Sequence, residues 1–205
     1  MPSTRYQELE FHLEQLREHF LPTEFEPTGS YEERVFAHTK AYRVLAHAEF
    51  ESFIEDRVLE IVERSYEQWQ NLGTSTTALL GITAFKETTS RTSESFSEMS
   101  QSPKKYPDLA SVVSHAKKNY NYYVRMENHG IKAKNLIRML VPLGFTEADI
   151  DSEWLATTDA WATSRGEVAH RSAKVAVQPD PKLEFGGVNR ILKGFSELDE
   201  LLDVK

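Results

Sequence analysis

Along residues 3–20 the apolar positions Tyr6, Leu9, Leu13, Leu16 and Phe20 recur every three or four residues, which predicts an amphipathic helix ending before Pro22. Pro22 and the cluster Pro27-Thr28-Gly29-Ser30 make a connector. From Tyr31 to about Trp69 there is neither proline nor glycine, and Val35, Tyr42, Leu45, Ala46, Phe50, Phe53, Ile54, Val58, Ile61 and Val62 keep a helical period. That pattern predicts one long helix of about ten turns, or two with a slight kink.

Residues 74–102 differ, with 14 serines and threonines and few large apolar residues. A stretch that buries so little cannot offset its ordering entropy, so a mobile excursion is expected, with a short helix near 78–87. Further helices are predicted from Leu109 to Met126 and from Ile131 to Leu140, the latter ending near Pro142. Thr146-Glu147-Ala148-Asp149 reads as the N-cap of a helix holding Trp154 and Trp161. After Pro179 and Pro181, a last helix is expected from Val188 to Leu202, following Gly186-Gly187. Strand-like alternation is scarce, so the class is all-α, an up-and-down helical bundle, with 1–205 forming a single domain.

Composition narrows the chemistry. A chain of 205 residues can bury a sizeable core without staples. It has no cysteine, which excludes disulfides, thiolate metal sites and a cysteine nucleophile and fits a reducing compartment. The first 21 residues are acidic and helical in pattern rather than basic then apolar, and no run reaches the roughly 18 apolar residues of a membrane span. A cytoplasmic protein without membrane contact is expected. The seven histidines are scattered, with no HExxH, and neither a glycine-rich phosphate loop nor a GxSxG elbow is present, so no metal and no cofactor is expected.

The net charge of −8 argues against a phosphate-rich partner until its distribution is examined. Residues 1–70 hold 15 acids against 7 bases, whereas 104–138 hold 8 bases against 2 acids. Tyr106, Tyr120, Tyr122 and Tyr123 interleave with that charge. Lys117, Lys118, Tyr122, Tyr123, Arg125, Lys132 and Lys134 are therefore candidate RNA contacts, by phosphate pairing and base stacking. A solvated helix face with tyrosines turned inward fits the same pattern.

The segment Arg165-Gly166-Glu167-Val168-Ala169-His170 follows the two tryptophans. In a regular helix Arg165 and His170 project about 140° apart and lie about 7.5 Å apart along the axis. A guanidinium beside an apolar stripe does not deprotonate and must find an acidic or multi-acceptor partner, for which Glu51 and Glu55 of the long helix are candidates. By spacing alone, an ion pair between helices and a border histidine would explain both residues.

The wider pattern resembles a known family. Tyr42-Arg43-Val44-Leu45-Ala46-His47-Ala48-Glu49-Phe50-Glu51-Ser52-Phe53-Ile54-Glu55, followed downstream by Trp154-Leu155, Asp159 and the Arg165 to His170 run, is similar to the HEPN superfamily, and within it to the RiboL-PSP-HEPN group. The resemblance covers most of 35–205, the Ser/Thr-rich section fitting poorly. It implies an all-α bundle and metal-independent RNA cleavage by a homodimer whose two motif copies face each other. Arg165 would hold the scissile phosphate, His170 would move the proton of the ribose 2′-hydroxyl or of the leaving oxygen, and Glu51 would orient Arg165 or the helix pair. It also implies a toxin or phage-defence setting, with an antitoxin or regulatory protein as a further partner. The family often has Asn, Asp or His after the arginine; here that residue is Gly166. The other readings are a catalytically inactive module that binds RNA, a nucleotide or a protein partner, and a plain helical scaffold with no nucleic-acid role.

Overall fold

Ser3 opens the first helix, α1 (Thr4–Phe20), by accepting the Tyr6 N–H on its hydroxyl at 3.0 Å. The computed structural model describes residues 2–85, 95, 100–104, 107–170 and 178–204, the side chains of 164–170 lying outside the description. The proline-free stretch is one uninterrupted helix, α2 (Glu33–Leu72), 40 residues long and therefore about 60 Å from end to end. It stops where Gly73 takes a left-handed φ of 69° and returns its N–H to the Trp69 carbonyl. Tyr42, Phe50, Ile54, Val58, Ile61 and Val62 are all buried along one stripe, making α2 the column on which the other helices pack.

The short helix expected near 78–87 is α3 (Thr77–Ala84), capped by the Thr76 hydroxyl. Residues 86–94 and 96–99, 13 of the 29 positions of the expected excursion, lie outside the described residues. The predicted helix over 109–126 divides: α4 (Leu109–Tyr122) passes into a π-helical turn over Tyr123–Glu127. The wider turn closes when the Asn128 N–H reaches the Tyr123 carbonyl, and the Asn128 side chain, buried and bonded to both Tyr123 Oη and the Asn135 carbonyl, holds it. Next come α5 (Ala133–Leu140) and a 3-10 turn through Pro142. No strand occurs among the described residues.

Two boundaries need correction. Thr146 caps only a 3-10 turn, Glu147–Asp149, and the following helix α6 (Ser152–His170) is opened by Asp151, whose carboxylate accepts the N–H groups of Glu153 and Trp154. The last helix, α7 (Pro181–Asp203), begins with proline in its first turn and an Asp180 cap, seven residues before the predicted start. Gly186 and Gly187 lie inside it. Glycine here permits close approach rather than a break: a Cβ on Gly187 would sit 3.4 Å from Trp161, and one on Gly194 would overlap the Trp154 ring. Gly194→Ala should accordingly cost about 1–3 kcal/mol by overpacking, measurable as a lowered urea midpoint at unchanged m-value. An unchanged midpoint would show that the indole has room to retreat.

Ring and ion contacts fix the register of the three central helices. Trp154 lies beside Gly194 and Trp161 beside Gly187, so α6 and α7 are antiparallel. Arg43 pairs with Glu184, Phe50 stacks on Phe195 and Arg57 bonds Asp199, so α2 and α7 run the same way. A buried polar knot closes this assembly at one end. Asp199, 1% exposed, accepts Arg57 Nε at 2.6 Å and both the N–H and the hydroxyl of Ser3 at 2.8 Å, while Arg57 Nη2 reaches Asp203 at 2.7 Å.

Candidate functional site

The helix α6 is anchored by its two indoles. Trp154 donates its ring N–H to the Ile191 carbonyl at 3.0 Å, and Trp161 meets Phe50 edge-on and the His47 ring nearly parallel, 6.0 Å between centroids. The helical backbone continues through Gly166 to His170, so the glycine does not end it. Arg165 and His170 sit on its last turns, with side chains outside the described residues. Since α6 runs against α2, with Trp161 opposite His47 and Phe50, four further residues advance about 6 Å toward the level of the Arg43 and Glu184 ion pair. Glu51 lies in the opposite direction along α2.

Glu51 is engaged by the segment that precedes α5. Its Oε1 accepts the backbone N–H of Gly130, whose φ of 93° turns the segment between α4 and α5 back onto α2. Its Oε2 lies 3.6 Å from Nδ1 of His47. Asp159 of α6 supports the same segment by accepting the Ala133 N–H at 2.9 Å. Glu55 is bound to Arg125 at 3.0 Å, and Asp56 takes the other arm of that guanidinium. Burial pushes the Glu55 carboxyl above the usual carboxylate range, the Arg125 bond opposes the rise, and the Glu51 charge adds to it. Among the described residues Glu51, Glu55 and His129 bring ligand atoms within 4.8 Å of one another and could hold a cation. The two carboxylates already receive a neutral donor, the Gly130 N–H, and a positive charge, the Arg125 guanidinium, from the chain itself.

Sequence reasoning did not single out His47, 2% exposed and packed between Trp161 and Gly130. Its signal was available: a histidine four residues before Glu51 on the apolar stripe of the long helix. The Arg43 to Glu184 pair was also missed, because Glu184 precedes the predicted start of the last helix.

The basic segment separates into engaged and free cations. Lys117 bonds Glu63 and lies 4.3 Å over the Tyr66 ring, and Arg125 is held by α2 as described. Lys118, Lys132 and Lys134 make no ion pair among the described residues. Tyr120 is interior, its hydroxyl donated to the Met139 carbonyl at 2.6 Å, and Tyr123 is half-buried, whereas Tyr122 is 59% exposed. Lys105 and Tyr106 lie outside the described residues. No described helix is long and apolar enough to cross a membrane.

Comparison with known proteins gives one family. The profile of RiboL-PSP-HEPN matches residues 3–203, from the cap of α1 to the end of α7. No curated protein and no solved structure is significantly similar to the chain.

Proposed function

Because the chain belongs to the RiboL-PSP-HEPN family, we propose that it is a metal-independent endoribonuclease, a single HEPN-like domain acting as a homodimer on single-stranded or looped RNA. Membership itself points to a ribonuclease-like or nucleotide-binding module. The observation that carries the sharper reading is the Arg165 to His170 motif, five residues apart on the last turns of a tryptophan-anchored helix that the family profile spans.

The chemistry assigns each residue a task. His170 takes the proton of a ribose 2′-hydroxyl as that oxygen attacks the adjacent phosphorus; the bond to the 5′-oxygen breaks, and the leaving oxygen is protonated by an imidazolium. The products are a 2′,3′-cyclic phosphate and a 5′-hydroxyl. Imidazole titrates near neutrality and so can serve in both directions. Arg165 holds the non-bridging oxygens with a planar fork of donors, where charge develops in the transition state. A dimer cleft can draw Arg165 from one chain and His170 from the other, which removes the difficulty of their roughly 140° separation on one helix. The setting that suits such an activity is a cytoplasmic toxin or phage-defence effector, restrained by an antitoxin or regulatory protein.

A second reading is favoured by Gly166, which stands where the family often has a polar residue: a module that uses the same cleft to hold RNA or a nucleotide without cutting it. Incubating the protein with a mixed RNA pool in excess EDTA separates the two. Fragments ending in 2′,3′-cyclic phosphate are the expected result. Retained RNA binding with intact RNA would instead assign the inactive module.

A further inference from the structure

We infer that the groove between α3, α4 and the end of α5 is a subsite for one nucleotide of single-stranded RNA, with its base between aromatic walls and its phosphate on Arg138. This inference rests on the ribonuclease reading and adds to it a binding position that the Arg165 to His170 motif does not provide.

The groove is open to solvent and offers about 470 Å³, a volume within the range of small-molecule sites. Phe85, at the end of α3 and 65% exposed, forms one wall; Tyr123 forms another; Ile82 and Pro142 contribute apolar surface. Tyr123 is held in place, since its hydroxyl donates to Asn128 Oδ1 at 3.2 Å and Asn128 itself is buried. A pre-set aromatic face loses little entropy on stacking, and base stacking on aromatics is tolerant of sequence. At the rim stand two polar groups with different capacities. Asn119 is exposed and offers both a donor and an acceptor to a base edge, and Arg138 is exposed and makes no ion pair among the described residues.

The electrostatics select the occupant. Arg138 lies one turn from Lys134 on the same face of α5, and Lys134 and Lys118 make no ion pair among the described residues either. Arg138 at the rim and Lys134 one turn away, both exposed and without an ion pair among the described residues, stand beside an aromatic groove on a chain of net charge −8, which fits a polyanion that also carries flat rings. By contrast Lys117 and Arg125 are taken up by Glu63, Glu55 and Asp56. The RNA-contacting face therefore shifts from the one those two residues would define to the groove side.

The test is fluorescence anisotropy of a short fluorescein-labelled 2′-O-methyl oligoadenylate, which lacks a free 2′-hydroxyl and cannot be cut, against the full chain. Arg138→Glu should weaken binding about ten-fold or more and lower the salt slope by about one. Phe85→Ala should weaken it about five-fold or more by loss of stacking. Arg190→Glu, an exposed reversal of the same sign on α7, should change it much less. Equal losses from Arg138→Glu and Arg190→Glu would reduce the effect to general charge and overturn the subsite. Unchanged binding in both groove variants would also overturn it, as expected if a partner protein occupies the groove. RNA cleavage by the parent in the same preparation tells the readings apart: a parent that cuts RNA while its groove variants bind normally refutes the subsite alone, and a parent that neither cuts nor binds refutes both.

Discussion

Arg165→Ala and His170→Ala should each reduce RNA cleavage by about 10²-fold or more, the scale of losing a charge-stabilising donor or a general acid–base, and mixing the two inactive proteins should restore activity. The restoration follows from symmetry. If each site takes Arg165 from one protomer and His170 from its partner, a mixed dimer has one site lacking both groups and one with both intact. Random exchange makes half the dimers mixed, so recovery should approach about a quarter of the parent rate. The measurement is initial cleavage rate after the two variants are co-refolded or co-expressed, with each variant alone as control. Two losses without any recovery would mean that each chain works with its own arginine and histidine, and the 140° separation would then have to be bridged within one helix end. Two variants as active as the parent would remove the motif from the chemistry altogether.

As a string of residue types the motif was legible, its role being the one proposed above. Its surroundings were not. Glu51 stood out as an acid on an apolar stripe, yet what it binds is the backbone N–H of Gly130, a donor every non-proline residue possesses and no sequence pattern marks. The long helix was readable for the opposite reason, since an unbroken 3.6-residue period over 40 positions has few competing explanations. Gly186-Gly187 misled because glycine has two uses, to break a helix or to let a neighbour come close. The neighbour, Trp161, lies 26 residues upstream of Gly187 and gives no local signal. The basic segment overstated its free charge for a related reason: the acids that engage Lys117 and Arg125 sit on α2, 54 to 70 positions earlier in the chain.

Asp199→Ala should be the most destabilising single change outside the apolar core, by about 3 kcal/mol or more, because it strips a buried guanidinium of its closest carboxylate and leaves it in low dielectric. The loss extends to α1, since the Asp199 carboxylate also takes the N–H and hydroxyl of Ser3, the cap of that helix. For a chain of this size the melting temperature should fall by about 6–12 °C. Glu60→Ala is the matched control. It also removes a carboxylate from Arg57, but one with a side chain 43% exposed, and solvent screening should keep its cost below about 1 kcal/mol. Equal small losses from the two substitutions would show that Ser3, Arg57 and Asp199 are held together by the surrounding packing and not by their charge.

The paired contacts of Trp154 with Gly194 and Trp161 with Gly187 have a further consequence for α6. Seven residues separate the indoles on one helix, and seven separate the glycines on the other. Such a pair works as a gauge with two marks. A slip of α6 by a single turn would take both indoles off their glycines at once, and residues with a Cβ would meet them instead. The level of the Arg165 and His170 backbone along α7 is thus set at two points, and in the proposed homodimer two copies would present their motifs at matching depth without any adjustment along the helix.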